Sequence, residues 1–384
     1  MRDADPFAEP EAYASLRREA TALCAAVEPM ADEADEAETL HAGMAAALRE
    51  SGLARATVPA AYGGRSESVD PRAVTTVREV LMGTSAHLDS LFGMQGVGSH
   101  ALGVAGSPEL REQWLPRVAA LEALAALALT EPGTGSDLRN VSTTIRDVGD
   151  RLVVDGVKAF ITNAGAAAFY TVLGREGDEY SLVLVPADAD GLRVVSGPSL
   201  IAPHILGEVR LGAVEVDASH RIGPPGAGFK LALATLAVFR VSVAGAAVGL
   251  AAAALEEATR HAMTREQFGA PLAKLGGVSQ MLARSWVDVE AARAITYRAA
   301  AAARVDPEGA LHLSSIAKVA ATEAAGEVVD RCVQVMGRFG LVRGSKIERL
   351  YRNARPMRIY EGSTEVILDS LARRLQREVA GRGS

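Results

Sequence analysis

The chain of 384 residues is short of several things. It has two cysteines, Cys24 and Cys332, far apart and without partners at metal-ligand spacing, which argues against a disulfide framework or a zinc site. A reducing compartment fits, and a cytoplasmic location is expected. The seven histidines are scattered, with no HExxH pair, so no metal centre is expected. Positive charge is also scarce. Forty Lys and Arg stand against 47 Asp and Glu, a formal net charge of -7, and no basic stripe is interleaved with aromatics. Nucleic acid is therefore not an expected ligand. The longest uncharged run, residues 241–255, has 15 residues, short of the roughly 20 that span a bilayer. It reads as a buried helix in a protein without membrane contact. The opening "MRDADPFAEPEAY" is acidic and lacks an apolar core, so it does not read as a signal peptide.

What is present is alanine. Apolar residues make up 49% of the chain and aromatics 4%, a balance that favours helices in close contact. The first 127 residues show apolar spacing of helical type, with Gly52 as a stop and Ser107 as an N-cap ahead of Pro108. The texture changes near residue 128. Short alternating runs such as "RLVVDGVKAFIT", "YSLVLVP" and "EVRLGAVEVD" predict strands in a small barrel or sandwich, and Asp155-Gly156 reads as a hairpin turn. After "PPGAGF" long helices return, predicted over 231–263, 275–303 and 310–336, with a last one starting near Thr364. The fold class expected is α+β, mainly helical. Its three domains are an N-terminal helical domain (1–127), a middle β-barrel domain (128–228) and a C-terminal four-helix bundle (229–384).

Five stretches could carry chemistry. "LALTEPGTGSDLRN" (127–140) joins helix to strand through a Pro-Gly loop whose backbone can approach a ligand, with hydroxyls at Thr130, Thr134 and Ser136. Glu131 and Asp137 can brace it. "KAFITNAG" ends a strand with Phe160 beside Thr162, suited to a planar ring. "TREQFG" leaves a helix with Arg265, whose planar fork suits a diphosphate. "QVMGRFG" is a second glycine-marked helix end. "IYEGSTEV" places Glu361 on the approach to the last helix, where a side chain can be aimed. Each has an ordinary structural reading on its own.

Together and in this order they resemble the acyl-CoA dehydrogenase family over nearly the whole length, through "LTEPGTGSD", "ITN", "REQFG", "QVMG", "YRNAR" and "IYEGSTEV". The resemblance implies a FAD-dependent enzyme that removes hydrogens from Cα and Cβ of an acyl thioester. It implies cofactor contacts from Leu129, Thr130, Gly135, Ser136, Phe160 and Thr162 on the flavin side. Arg265, Gln267 and Phe268 would reach FAD from a neighbouring subunit. Gln334, Gly337 and Arg338 would lie at the adenosine side, and Ser363 and Glu365 follow the base and touch FAD. Ser136, Arg240 and Gly362 would meet the substrate. Glu361 would be the catalytic base, its own backbone N–H helping to hold the thioester carbonyl. A homotetramer, or a dimer, and an electron-transfer flavoprotein as acceptor are also implied.

Three departures from the family pattern stand out: Leu275-Gly276, Arg338 in place of a second glycine, and Val238-Phe239 where an acidic residue often precedes the arginine matched by Arg240. Acyl-CoA is the first substrate expected. An acyl carrier protein thioester, a flavin oxidase or monooxygenase, and a non-catalytic assembly protein stay open as alternatives at this point.

Overall fold

A computed structural model describes residues 9–381. Six helices come first: α1 (Glu11–Val27), α2 (Ala31–Asp35), α3 (Ala42–Ser51), α4 (Pro71–Met82), α5 (Ala86–Ala105) and α6 (Pro108–Ala119). Their starts are set by side chains that accept from free backbone N–H groups. Asp70 caps α4, Ser85 caps α5, and Ser107 accepts from Leu110 N at 3.3 Å ahead of Pro108. Gly52 ends α3 in the left-handed region. Pro116 sits inside α6 without ending it, and the helix runs on to Ala119.

The sheet domain follows with β1 (Ala125–Ala128), β2 (Thr144–Val148), β3 (Arg151–Thr162), β4 (Phe169–Glu176), β5 (Glu179–Pro186), β6 (Leu192–Ser196), β7 (Leu206–Asp217) and β8 (Arg221–Ile222). Strand order is β6-β7-β3-β2-β4-β5-β8, with β1 parallel to β4. The expected hairpin at Asp155-Gly156 is not a turn. Both residues lie inside the single strand β3, where the register against β7 shifts between Val154 and Gly156. Gly156 takes φ +154°, and a Cβ there would sit 2.4 Å from the Thr143 hydroxyl. Asp155 accepts from Ala213 N across the strands. A turn dipeptide thus serves as a β-bulge.

The C-terminal part holds α7 (Gly228–Thr264), a hairpin of β9 (Glu266–Gln267) and β10 (Ala270–Pro271), α8 (Gly276–Val305), α9 (Leu311–Met336), α10 (Lys346–Met357) and α11 (Thr364–Gly381). α7 is long and apolar enough to cross a membrane, but its most apolar window is 78% buried inside the fold. It is the central core helix, packed on α4, α8 and α9. α7 and α9 run parallel: Arg240 meets Ser315 at one end, and Arg265 meets Phe339 at the other.

Small residues permit this packing. A Cβ on Gly249 would fall 1.7 Å from the backbone oxygen of Glu79, and one on Gly245 2.7 Å from that of Thr75. The obstacle in both cases is backbone of α4, which cannot rotate away. Gly249→Ala is therefore expected to destabilise the protein by about 3 kcal/mol, the upper end of ordinary overpacking. Thermal melting of the purified variant checks this, and an unchanged midpoint would contradict the close approach.

Candidate active site

The turn between α10 and α11 carries a titratable group on constrained backbone. Glu361 has φ +56° and Gly362 φ +99°, two consecutive left-handed residues. A non-glycine residue in that region is strained and needs its surroundings to hold it. The surroundings are visible. Arg240 on α7 donates from Nε to the Glu361 carbonyl at 3.2 Å and from Nη1 to Ser315 Oγ at 3.0 Å. Lys318 on α9 donates from Nζ to the Gly362 carbonyl at 2.7 Å. Glu323 on α9 accepts from Thr364 Oγ1 at 2.8 Å and from Arg358 Nε at 2.9 Å. The turn is fastened to α7 and α9 from below.

What the turn presents is a carboxylate with free capacity. Glu361 is half-buried, and its Oε2 is enclosed without a hydrogen-bond partner. Its backbone N–H likewise meets no acceptor among the described residues. Burial pushes the Glu361 carboxyl above the usual carboxylate range, and the charges of Arg240, Arg78 and Lys318 pull back against it. Arg78 on α4 is itself buried. It forms a bidentate pair with Asp89 on α5, at 2.9 and 2.6 Å, and donates to Ser242 Oγ at 3.1 Å. Gly93 makes room for it, since a Cβ there would lie 3.1 Å from the guanidinium.

The loop 129–143 is braced by one buried acid. Glu131 is 4% exposed and accepts from Lys158 Nζ at 2.8 Å, from Ser142 N and Oγ at 2.6 Å, and from Thr143 N at 2.9 Å. These donors hold its carboxyl well below the usual range, at about 2. Lys158 also donates to Leu129 O at 3.0 Å, and Ala159 N donates to Thr130 O at 2.9 Å. Thr134 Oγ1 donates to the Asp137 carbonyl at 2.7 Å. Thr130 is half-buried, while Gly135 and Ser136 are exposed at the loop tip.

β3 contributes the aromatic. A second register shift between Lys158 and Ile161 leaves Phe160 in the left-handed region, φ +56°, with the residue 56% exposed. A bulge here turns out a side chain that a regular strand would have packed. Two residues on, Thr162 Oγ1 lies 3.3 Å from His204 Nε2, which is also 3.3 Å from Ser90 Oγ on α5. Burial lowers the His204 pKa to about 4, so its ring is neutral at pH 7.

The remaining expected positions gather elsewhere. Arg265 and Arg338 both stack toward the ring of Phe339, at 5.7 and 5.1 Å, with His261 at 5.4 Å. Gln267, Gln334 and Gly337 are exposed nearby in sequence, and Phe268 at the tip of the β9–β10 hairpin is 94% exposed with φ +54°. Arg240 lies on α7 and Arg265 is the residue just past its C-terminal end, 25 residues on, about 37 Å at the α-helical rise. This second cluster is therefore far from Glu361 within one chain.

Arg240 spends two of its nitrogens on Glu361 O and Ser315 Oγ. Ser363 is half-buried and its carbonyl accepts from Ile367 N, while Glu365 is an exposed first-turn residue of α11. The sequence reading also missed Lys318, Ser315, Arg78, Asp89 and His204. A lysine inside the apolar run "IAKVAATEAAG" was a signal for the first of these.

Comparison with known proteins matches the family models for the N-terminal domain of acyl-CoA dehydrogenase over residues 10–122, its middle domain over 126–203 and its C-terminal domain over 226–376. The chain belongs to the acyl-CoA dehydrogenase family. It is 32% identical over 362 residues to cyclohexane-1-carbonyl-CoA dehydrogenase of Geobacter metallireducens, covering 92% of this chain and 94% of that one. Among solved structures it is similar to butyryl-CoA dehydrogenase of Megasphaera elsdenii, with TM-score 0.91 and 27% identity over 97% of this chain and 100% of that one. It is also similar to an acyl-CoA dehydrogenase of Bacillus anthracis complexed with FAD, with TM-score 0.90 and 25% identity over 98% of this chain and 68% of that one.

Proposed function

We propose that the protein is a FAD-dependent acyl-CoA dehydrogenase that introduces an α,β double bond into an acyl thioester, with Glu361 as the base. The observation that carries this is the unpartnered, half-buried carboxylate of Glu361, held on a strained turn next to an unpaired N–H.

The donor set fits FAD. A Pro-Gly loop with hydroxyls, an aromatic face turned out by a bulge, a threonine hydroxyl beside it, and a separate pair of guanidinium groups suit a flavin joined to a diphosphate and adenosine. Leu129, Thr130, Gly135, Ser136, Phe160 and Thr162 would hold the flavin part. Arg265, Gln267, Phe268, Gln334, Gly337 and Arg338 would hold the adenosine part. When bound, FAD supplies the acceptor for the hydride that leaves Cβ.

The chain supplies the rest. The Glu361 carboxylate takes the α-proton, and burial makes it a stronger base than a carboxylate in water. The free N–H of Glu361 donates to the thioester carbonyl as negative charge builds on it. Arg240 and Lys318, by holding the two carbonyls of the turn, keep that N–H and the carboxylate on one side. One cofactor can meet both residue sets, about 37 Å apart along α7, if a second copy of the chain supplies the far set. That supports an assembly of copies, a homotetramer in our reading, and the exposed Phe268 fits a contact made outside its own chain. An electron-transfer flavoprotein is the proposed acceptor for the electrons.

The test is anaerobic titration of the purified flavoprotein with saturated acyl-CoAs and, in parallel, acyl carrier protein thioesters. Bleaching of the visible flavin band by acyl-CoA is expected at stoichiometric amounts. Bleaching by carrier-protein thioesters alone would reassign the carrier. A flavin band that no thioester bleaches would overturn the dehydrogenase reading.

A further inference from the structure

Lys318 is fully buried in α9, and no ion pair to it is formed among the described residues. Its one hydrogen bond to protein is to the Gly362 carbonyl at 2.7 Å. Burial, with Arg240 nearby, draws its pKa down to about 8. A buried ammonium with a single neutral acceptor is costly, and an apolar side chain of similar length would fill the space with less desolvation. Stability of the bundle gives no reason for the charge. The position does.

Glu361 and Gly362 occupy the left-handed region in succession, and each of their carbonyls receives a cation: Arg240 on the first, Lys318 on the second. Fixing the peptide planes that follow Glu361 fixes the direction of its Cα–Cβ bond. Room is tight there, since a Cβ on Gly362 would sit 3.2 Å from Ile367 and 3.4 Å from Arg240. A small shift of the turn would let φ of Glu361 relax and carry the carboxylate out of line.

We propose that Lys318 is a positioning residue for the catalytic carboxylate, its ammonium clamping the Gly362 carbonyl so that, with Arg240 on the Glu361 carbonyl, the strained turn keeps Glu361 aimed at the substrate. This rests on Glu361 being the base. The charges facing Glu361 are Arg240 from α7, Arg78 (paired with Asp89) from α4, and Lys318 from α9, with Tyr360 beside it on the turn. Those facing Lys318 are Arg240, Glu361, Glu323 and Glu365.

The experiment compares wild type, Lys318→Met, Lys318→Arg and Glu361→Gln as FAD-loaded proteins, measuring flavin content, kcat, KM and the pH profile of kcat with one acyl-CoA. For Lys318→Met, kcat falls by about 10²-fold, the cost of a misplacement of about 1 Å, while KM moves less than threefold. The acid limb of its profile moves to higher pH, because one of three cations that lower the Glu361 pKa is gone. Lys318→Arg keeps the charge, so its limb stays with wild type and part of kcat returns. An unmoved limb and full kcat in Lys318→Met, with Glu361→Gln inactive, would overturn the role of Lys318 and leave the base in place. Equal loss of flavin and fold in both Lys318 variants would also overturn it, making the lysine a structural anchor. Full turnover by Glu361→Gln would instead remove the base reading itself.

Discussion

Replacing Glu361 by glutamine leaves a protein that folds, binds FAD and takes up acyl-CoA, but whose flavin band no longer bleaches under anaerobic conditions. The turnover rate falls by about 10³-fold or more, within the range that a positioned general base contributes. The reason is local. The amide keeps the size and shape of the carboxylate, with one acceptor oxygen replaced by an NH2 donor, and the backbone clamps from Arg240 and Lys318 act on carbonyls that the substitution does not touch. What is lost is the ability to accept a proton. Among the described residues, two other carboxylates around the site are already engaged: Asp89 is bound to Arg78, and Glu323 to Arg358 and Thr364. Substrate binding should change little, since the N–H of residue 361 is retained, so the loss appears in kcat more than in KM. In the wild type, burial raises the Glu361 pKa, so kcat should rise with pH along a limb set above that of an exposed glutamate. That limb should vanish with the glutamine. A variant that bleaches at the wild-type rate would move the base elsewhere.

Much of this was legible in the sequence, and the reason is that one-dimensional signals track local physics. Long helices show in apolar spacing, and their caps show in Ser107 and Gly52, because capping is a contact between near neighbours. The Glu361 turn was legible because a Gly-Ser-Thr entry ahead of an amphipathic run marks a helix start. The family resemblance then assigned that glutamate a role its own spacing could not. What stayed hidden depends on partners far along the chain. Asp155-Gly156 has the composition of a turn, yet pairing with β7 decides its conformation, and it becomes a bulge. Phe160 is exposed for the same reason, a register shift that no local pattern encodes. Lys318 and Glu361 are 43 residues apart and Arg240 and Glu361 121 apart, so the clamp on the turn has no sequence signature beyond a lysine in an apolar helix. Arg78 and Asp89 read as ordinary helix charges until their bidentate pair is seen to be buried.

The second large effect concerns stability of the flavin-side loop. Lys158→Met should destabilise the protein by about 3–5 kcal/mol, the usual cost of removing one member of a buried ion pair. Lys158 and Glu131 are 0% and 4% exposed, and the four contacts on Glu131 tie β3, the loop from Leu129 and the Ser142-Thr143 strand entry to one carboxylate. Without Lys158 the carboxylate stays buried with its charge uncompensated, and the Leu129 carbonyl loses its donor. The loop that carries Thr130 and Ser136 then loosens, so flavin content should drop together with the melting midpoint. The paired replacement Glu131→Met with Lys158→Met should recover part of the stability, because no lone charge remains, but not the flavin content, because the loop is no longer braced through Ser142 and Thr143. The sign of the pH dependence follows from Glu131, whose pKa is held down at about 2. Its stabilising contribution is complete above about pH 5, where the unfolded carboxylate is ionised too, and is lost as pH falls toward 2. In the double methionine variant that acid-side loss should be smaller. A Lys158→Met protein that melts with wild type and keeps its flavin would show that the loop is held by the Ser142 and Thr143 contacts alone.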